Sequence, residues 1–140
     1  MELQQVCYIS RATSQQPQIL QDLRDILSEA RNFNFQHQIN GVLYYSNGYF
    51  FQFLEGQTEQ IDILLNKLKK DKRHQDYVFY DDFRFQQGQF SDWSMKYIGR
   101  NSLVKDYLTE NGFRDFEPFD LDENQRMALL KILSKVNNEA

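Results

Sequence analysis

The sequence predicts an α+β domain of the ferredoxin-like βαββαββ type. Its five-stranded mixed sheet would carry two helices on one face and C-terminal cap helices on the other. Strand-like and helix-like segments follow one another in the order of a ferredoxin-like unit with one added strand. Asn47-Gly48 lies between two apolar runs, as the turn of a tight β-hairpin does. Aromatic residues make up 15% of the 140 residues, and helices after residue 100 can cover the sheet face that would otherwise expose them.

The first half of the chain contains three predicted strands and one helix. The first strand spans residues 3–10, and its alternation places Tyr8 on one face and Cys7 on the other. Pro17 suits the first turn of the helix, where its missing N–H is not needed. The second and third strands form the hairpin of residues 41–56. The helix that begins near Pro17 has an apolar stripe of Leu20, Leu23, Ile26, Leu27 and Ala30.

The second helix and two further strands follow. Thr58 is the predicted N-cap of this helix, whose last turn is basic. The fourth strand is predicted over residues 77–85 and the fifth over residues 90–98. The fifth strand places three side chains on one face: Trp93, Met95 and Tyr97.

Two helices are predicted at the C-terminal end. A short one spans residues 102–109. Asp120 with Glu123 resembles a capping box, from which the final helix runs to about Lys135.

Composition limits the classes of function. The net charge of −4 and the pI near 5.1 argue against direct nucleic-acid binding, which requires a basic face. No apolar run approaches the ~20 residues of a membrane span, and the N-terminus lacks the pattern of a signal peptide. Cys7 is the single cysteine, so no internal disulfide forms and a reducing, cytoplasmic setting is expected.

The chemistry-bearing candidates are polar residues on buried strand faces. Neither histidine has metal-ligand spacing, and no phosphate-binding loop or catalytic motif is present. Tyr8 and Gln52 each lie near the middle of a strand, and the ferredoxin-like order makes these strands neighbours. A phenol and an amide that meet there satisfy one another in the core or form a switchable hydrogen-bond relay facing a ligand. Spacing alone favours the core pair.

Six stretches occur together in a specific order: Cys7-Tyr8-Ile9-Ser10, Asp22-Leu23-Arg24-Asp25-Ile26-Leu27 leading to Asn34, Gly41-Val42-Leu43-Tyr44-Tyr45-Ser46, Phe51-Gln52-Phe53-Leu54-Glu55-Gly56, Asp71-Lys72-Arg73-His74, and Phe90-Ser91-Asp92-Trp93-Ser94-Met95. Together they resemble the BLUF domain, a blue-light sensor that uses flavin. The resemblance covers roughly residues 3–98 and favours the relay over the core pair.

The resemblance implies a noncovalent flavin between the two long helices, usually FAD, with FMN and riboflavin as alternatives. Arg73 and His74 match residues that line the ring edge and outer mouth, and Asn34 matches the asparagine that hydrogen-bonds the ring. The implied cofactor-binding residues are Ile26, Asn34, Gln52, Lys67, Leu68, Asp71, Arg73 and His74. The implied photoactive residues are Tyr8, Gln52, Trp93 and Met95.

The implied mechanism is a hydrogen-bond rearrangement without catalysis. Tyr8 gives an electron to the excited flavin, a proton moves through Gln52, and the rotated or tautomerised amide strengthens its bond to the flavin. Trp93 and Met95 match the fifth-strand pair that passes the signal onward. Two departures from the family pattern, Phe33 and Asn40, lie outside the Tyr–Gln pair.

The expected organisation is a flavin-binding domain over residues 1–99 and a C-terminal helical cap for output over residues 100–140. About forty residues after the fifth strand leave no room for a fused effector enzyme, so an unidentified partner protein is the expected target. The sequence leaves the oligomeric state open, with a homo-oligomer as one alternative. Two alternatives are a ferredoxin-like interaction module without photoactivity and a small flavin-dependent reductase.

Overall fold

The computed structural model describes residues 3–14, 17–81 and 84–136. Its elements, in chain order, are β1 (Leu3–Ala12), α1 (Gln18–Gln36), β2 (Asn40–Ser46), β3 (Tyr49–Gln57), α2 (Thr58–Lys70), β4 (His74–Tyr80), β5 (Lys96–Ile98), α3 (Ser102–Glu110), a 3₁₀ turn (Pro118–Asp120) and α4 (Glu123–Lys135).

The five strands form one mixed sheet in the order β4-β1-β3-β2-β5. β1 pairs antiparallel with β3 and β4, β2 pairs antiparallel with β3, and β5 runs parallel to β2. At the β2–β3 turn, Asn47 and Gly48 have φ angles of 54° and 80°. Positive φ at both central residues is typical of a two-residue hairpin turn. The predicted ferredoxin-like class and hairpin are confirmed.

A separate hydrophobic core lies on each face of the sheet. The first joins α1 and α2 to the sheet through Val6, Ile19, Leu23, Ile39, Leu43, Phe50, Leu54, Ile61, Leu64 and Met95. The second joins the C-terminal helices to the other face through residues that include Cys7, Ile9, Val42, Phe51, Phe53, Val104, Leu129, Leu130 and Leu133. The period-2 alternation of β1 and β3 supplies both cores. The prediction that the C-terminal helices cover the second face is confirmed.

β4 begins and ends earlier than the predicted strand over residues 77–85, of which residues 82–83 lie outside the described chain. The backbone N–H of Phe85 donates to the Gln5 side chain, at 2.6 Å, rather than to a neighbouring strand. The Gln5 amide in turn donates to the buried carboxylate of Glu55, at 2.8 Å. Side chains of β1 and β3 therefore hold the segment after β4.

β5 is much shorter than the predicted strand over residues 90–98. The Trp93 N–H donates to the Phe90 carbonyl, at 2.9 Å, so this segment turns on itself. The Trp93 carbonyl accepts from the Gly41 N–H, at 3.3 Å. Trp93 and Met95 therefore lie in an irregular segment before β5, and their predicted place on a strand is wrong.

Two helix starts also differ from prediction. Asp120 belongs to the 3₁₀ turn, so the predicted Asp120–Glu123 capping box is wrong. The capping box of α4 is formed instead by Asp122 and Gln125, whose side chains each bond the other's backbone N–H, at 2.8 and 2.9 Å. α2 begins at Thr58, so the N-cap position belongs to Gln57 and the predicted N-cap at Thr58 is wrong.

Candidate functional site

A cavity of about 480 Å³ lies between α1 and α2. Its apolar lining comes from one side of each helix, because side chains three and four residues apart lie on the same side. Gln52 from β3 and Met95 from the segment before β5 also line it. The apolar side chains of the helices are Ile26, Ala30, Phe33, Leu64 and Leu68.

Asn34 provides an unused hydrogen-bond acceptor in this cavity. α1 continues past it, and its side chain is fully buried. The Asn34 amide nitrogen donates to the Ser94 carbonyl, at 2.7 Å. Within the described chain, the Asn34 Oδ1 atom has no hydrogen-bond partner. A buried polar atom without a partner is costly, so Oδ1 marks a place for a ligand N–H.

Gln52 and Tyr8 are directly opposite each other in the β1–β3 pairing. Cross-strand partners have their side chains on one face of the sheet, so both face the α1–α2 side. Gln52 is 6% exposed and lines the cavity. The Tyr8 hydroxyl, however, is hydrogen-bonded to the His74 Nδ1 atom, at 2.5 Å. The core pair of phenol and amide, which spacing alone favoured over the relay, is therefore not formed: the phenol is paired with an imidazole.

His74 lies in the core beside Tyr8 rather than in the cavity lining. It is 8% exposed, and its ring lies edge-on to the Tyr8 ring with the centroids 5.4 Å apart. The resemblance implied a place at the outer mouth, whereas here the first residue of β4 turns inward. Burial lowers the pKa of His74, against a smaller opposing effect of a Leu68 backbone hydrogen bond. A neutral ring at neutral pH can accept a proton from, or donate one to, the phenol.

Charged residues surround the cavity mouth. Arg73 pairs with Asp71, at 2.7 Å, and with Glu29, at 3.0 Å. Although burial opposes it, hydrogen bonds from Arg73 hold the pKa of Asp71 below its usual value. The Lys67 ammonium lies 4.3 Å from the centroid of the Phe33 ring. Two more cations line the cavity, Lys70 and Lys72.

The segment that carries Met95 continues to the opposite core. Trp93 is half-buried and does not line the cavity. The Lys96 ammonium lies 5.8 Å from the Trp93 ring centroid and donates to the Leu133 carbonyl of α4, at 3.2 Å. One short segment therefore contacts the cavity through Met95 and α4 through Lys96.

The structure places in the cavity lining seven of the eight residues predicted to bind a cofactor, and the exception is His74. Of the residues predicted to be photoactive, Gln52 and Met95 line it and Tyr8 and Trp93 do not. Sequence reasoning missed Glu29, Ala30, Leu64, Lys70 and Lys72 as lining residues. Helical spacing from Ile26 and Leu68 was the signal that could have found most of them.

Metal binding, thiol chemistry and membrane spanning were also considered for the described chain. No group of three or more His, Cys, Asp and Glu residues there could hold a metal ion. Cys7 is fully buried, and burial raises the pKa of its thiol to about 12, so the thiol is neutral at pH 7. The helices of the described ranges are all too short or too polar to cross a membrane.

Comparison with known proteins identifies the fold and its relatives. The BLUF family, described as sensors of blue-light using FAD, matches residues 3–96. The photoactivated adenylate cyclase subunit beta of Euglena gracilis is 30% identical over 102 residues, which are 73% of this chain and 12% of that protein. This chain thus corresponds to a small part of that relative.

Two solved structures match almost the whole chain. The ground state of BlsA is 35% identical with a TM-score of 0.90, and the match covers 99% of this chain and 92% of that one. The photo-activated state of BlsA is also 35% identical, with a TM-score of 0.89 and 99% of both chains covered. This similarity extends through α3 and α4, beyond the residues that the family match covers.

Proposed function

Because the chain belongs to the BLUF family of sensors of blue light using FAD, we propose that it is a blue-light photoreceptor whose noncovalent flavin occupies the cavity between α1 and α2. The observation that carries this proposal is the buried Asn34 Oδ1 atom. It has no partner in the described chain, and Asn34 lines the same cavity as Gln52. A flavin ring presents an N–H and carbonyl groups along one edge, which suit an acceptor and an amide respectively.

The rest of the lining fits the same ligand. The apolar side chains of α1 and α2 suit the two faces of a flat ring. Lys67, Lys70, Lys72 and Arg73 suit phosphates, which FAD and FMN carry and riboflavin lacks. The family favours FAD among these. Ile26 and Leu68 would pack on the ring, and Asp71 would hold Arg73 in place.

Tyr8, His74 and Gln52 would carry the light response. The bound flavin supplies a strong electron acceptor when it absorbs blue light. Tyr8 would be the electron donor, and its hydroxyl is hydrogen-bonded to the His74 ring in the structure. For the proton to travel through Gln52, the phenol must leave His74 and turn toward the amide opposite it. Such an amide can exchange its donor and acceptor ends by rotating.

The output would pass through the segment before β5. Asn34 holds the Ser94 carbonyl, so a change at the cavity reaches Met95 and Trp93. Lys96, the first residue of β5 and the next residue after Met95, connects β5 to α4. Residues 1–99 would then act as the flavin-binding domain and residues 100–140 as the output cap, which signals to a partner protein without catalysing a reaction. The buried thiol of Cys7 is compatible with a cytoplasmic location.

An absorption spectrum of the purified protein, before and after blue light, tests this function. We expect a yellow protein whose flavin bands shift to the red and recover in the dark. A protein that stays colourless after supply of FAD would contradict it and favour an interaction module.

The Tyr8→Phe variant tests the role of the phenol. It should retain flavin, because Tyr8 does not line the cavity, but lose the red shift. An unchanged photocycle would remove Tyr8 from the mechanism.

A further inference from the structure

A second cavity, of about 570 Å³, lies where the end of β2, the start of α3 and the loop of residues 113–116 meet. It belongs to the sheet face covered by the C-terminal helices, because Tyr44 and Phe116 are part of that core. We call it the α3 cleft. None of its lining residues lines the cavity between α1 and α2.

Three cations line the α3 cleft: Arg100, Lys105 and Arg114. Asp115 is the one acidic residue among the lining residues, so the local charge is positive although the chain has a net charge of −4. In the described chain, none of the three cations forms an ion pair. Unpaired cations gathered in a concave surface favour an anionic ligand.

The inner part of the α3 cleft is apolar. The rings of Tyr44 and Phe116 meet edge to face with their centroids 4.8 Å apart, and both are almost completely buried. Leu108 is buried with them, and the half-buried Phe113 is the apolar side chain that this core leaves open to the cleft. A free phosphate has no apolar group to cover such a surface, whereas an apolar side chain beside carboxylates would cover it.

The α3 cleft is connected directly to the output segment. Arg100 lies two residues after the end of β5, and Tyr44 pairs with Ile98 in the β2–β5 ladder. The Asn47 side chain of the hairpin turn donates to the Phe116 carbonyl, at 3.1 Å. Any displacement of β5 against β2 therefore changes the relative positions of the cations and the apolar surface.

We propose that the α3 cleft binds an acidic segment of a partner protein. Arg100, Lys105 and Arg114 would bind its carboxylates, and an apolar side chain would lie on Phe113. This identification rests on the proposed function, because the partner is the protein that the photoreceptor regulates. Since β5 borders the cleft, the affinity for the segment differs between dark and illuminated protein.

The test uses the full flavin-loaded chain and a short peptide in which glutamate alternates with leucine, labelled with a dye that is excited by red light, which flavin does not absorb. Fluorescence anisotropy measures binding in the dark and under blue light. Arg100→Glu/Lys105→Glu should weaken binding at least about tenfold, because like charges then face each other.

The control Arg24→Glu/Lys131→Glu makes the same change in net charge at exposed positions outside the cleft and should keep the wild-type affinity. A peptide with glutamine in place of glutamate should not bind.

Two outcomes would overturn the proposal. One is no binding of the glutamate peptide, whether or not inorganic phosphate binds at Arg100 and Lys105, and the other is equal weakening of peptide binding in both double variants. The absorption change on illumination is recorded for the same samples. Peptide binding without an absorption change contradicts the proposed photoreceptor function but supports the cleft. An absorption change without peptide binding contradicts the cleft alone.

Discussion

At the scale of single residues, Gln52 is the most direct test of the light response. We predict that Gln52→Leu keeps the flavin but abolishes the red shift, because leucine has similar size and no hydrogen-bonding group. The fold should persist, since an apolar side chain replaces a buried amide among apolar neighbours. Light-minus-dark difference spectra, with the flavin content of the protein, measure both effects.

Ala30→Gly is a suitable control for Gln52→Leu, because it changes the cavity lining without removing a hydrogen-bonding group. It should keep the red shift. A Gln52→Leu protein with a normal difference spectrum would show that the amide takes no part in the photocycle.

His74 predicts how stability depends on pH. Burial holds its pKa in the folded state below the unfolded value of about 6.5. Above that value both states are neutral, so His74 adds no pH dependence. As the pH falls below it, the unfolded state takes up the proton first and the free energy of unfolding decreases. Protonation also makes both ring nitrogens donors, so the ring can then only donate to the Tyr8 hydroxyl.

Urea unfolding at about pH 7.5 and about pH 5.5 measures this effect. His74→Phe should reduce the loss of stability between the two conditions, because phenylalanine keeps a ring in the core but does not titrate. The same pH dependence in wild type and variant would assign the effect to other groups.

At the scale of elements, the β2–β3 hairpin requires glycine at Gly41. A Cβ atom there would lie 2.1 Å from the Phe53 backbone oxygen. We predict that Gly41→Ala lowers the free energy of unfolding by about 1–3 kcal/mol, since the backbone must shift to relieve the overlap. The midpoint of urea unfolding measures the loss. In the control Gly56→Ala, the nearest atom is a side-chain carbon of Ile39, at 3.1 Å, which can move, so the cost should be smaller.

Elements that depend on local patterns could be predicted from the sequence. Alternation in β1 and β3 predicted which side chains share a face, and the pairing of Tyr8 with Gln52 follows from it. Asn47-Gly48 predicted the hairpin for the same local reason. The length of β5 could not be predicted, because it depends on where the strand meets β2, and only three residue pairs form. Phe90 and Met95, which precede β5, pack into opposite cores without extended backbone.

The candidate site was predictable only where the family pattern names its residues. Ile26, Asn34 and Leu68 lie in the cavity lining as the resemblance implied. The contact between Tyr8 and His74 joins residues 66 positions apart through the side chain of a strand's first residue. No local periodicity encodes such a contact. The same holds for the pairing of Glu29 with Arg73 across the cavity mouth.

At the scale of the whole molecule, the sheet separates the cavity between α1 and α2 from the face that α3 and α4 cover. Three structural connections cross or border it near β5: the Asn34–Ser94 hydrogen bond, the β2–β5 ladder and the Lys96–Leu133 hydrogen bond. Lys96 is the member of this group that reaches α4. A buried ammonium with one carbonyl partner is an expensive group to retain for stability alone.

We predict that Lys96→Met separates light detection from output. Methionine has similar length, so the fold and the red shift should persist. Leu133 lies in the last turn of α4, where carbonyls have no partner within the helix, so loss of the ammonium leaves its oxygen unpaired. That loss and the relief from burying a charge oppose each other, and the net change in stability should be within about 1 kcal/mol.

Amide hydrogen exchange in α4 of the Lys96→Met variant should become faster in the dark, and its change on illumination should disappear. Lys131→Met, at an exposed position of the same helix, is the control and should leave both properties as in the wild type. A light-dependent change in α4 exchange that survives in Lys96→Met would place the connection to output elsewhere, with the β2–β5 ladder as the remaining route.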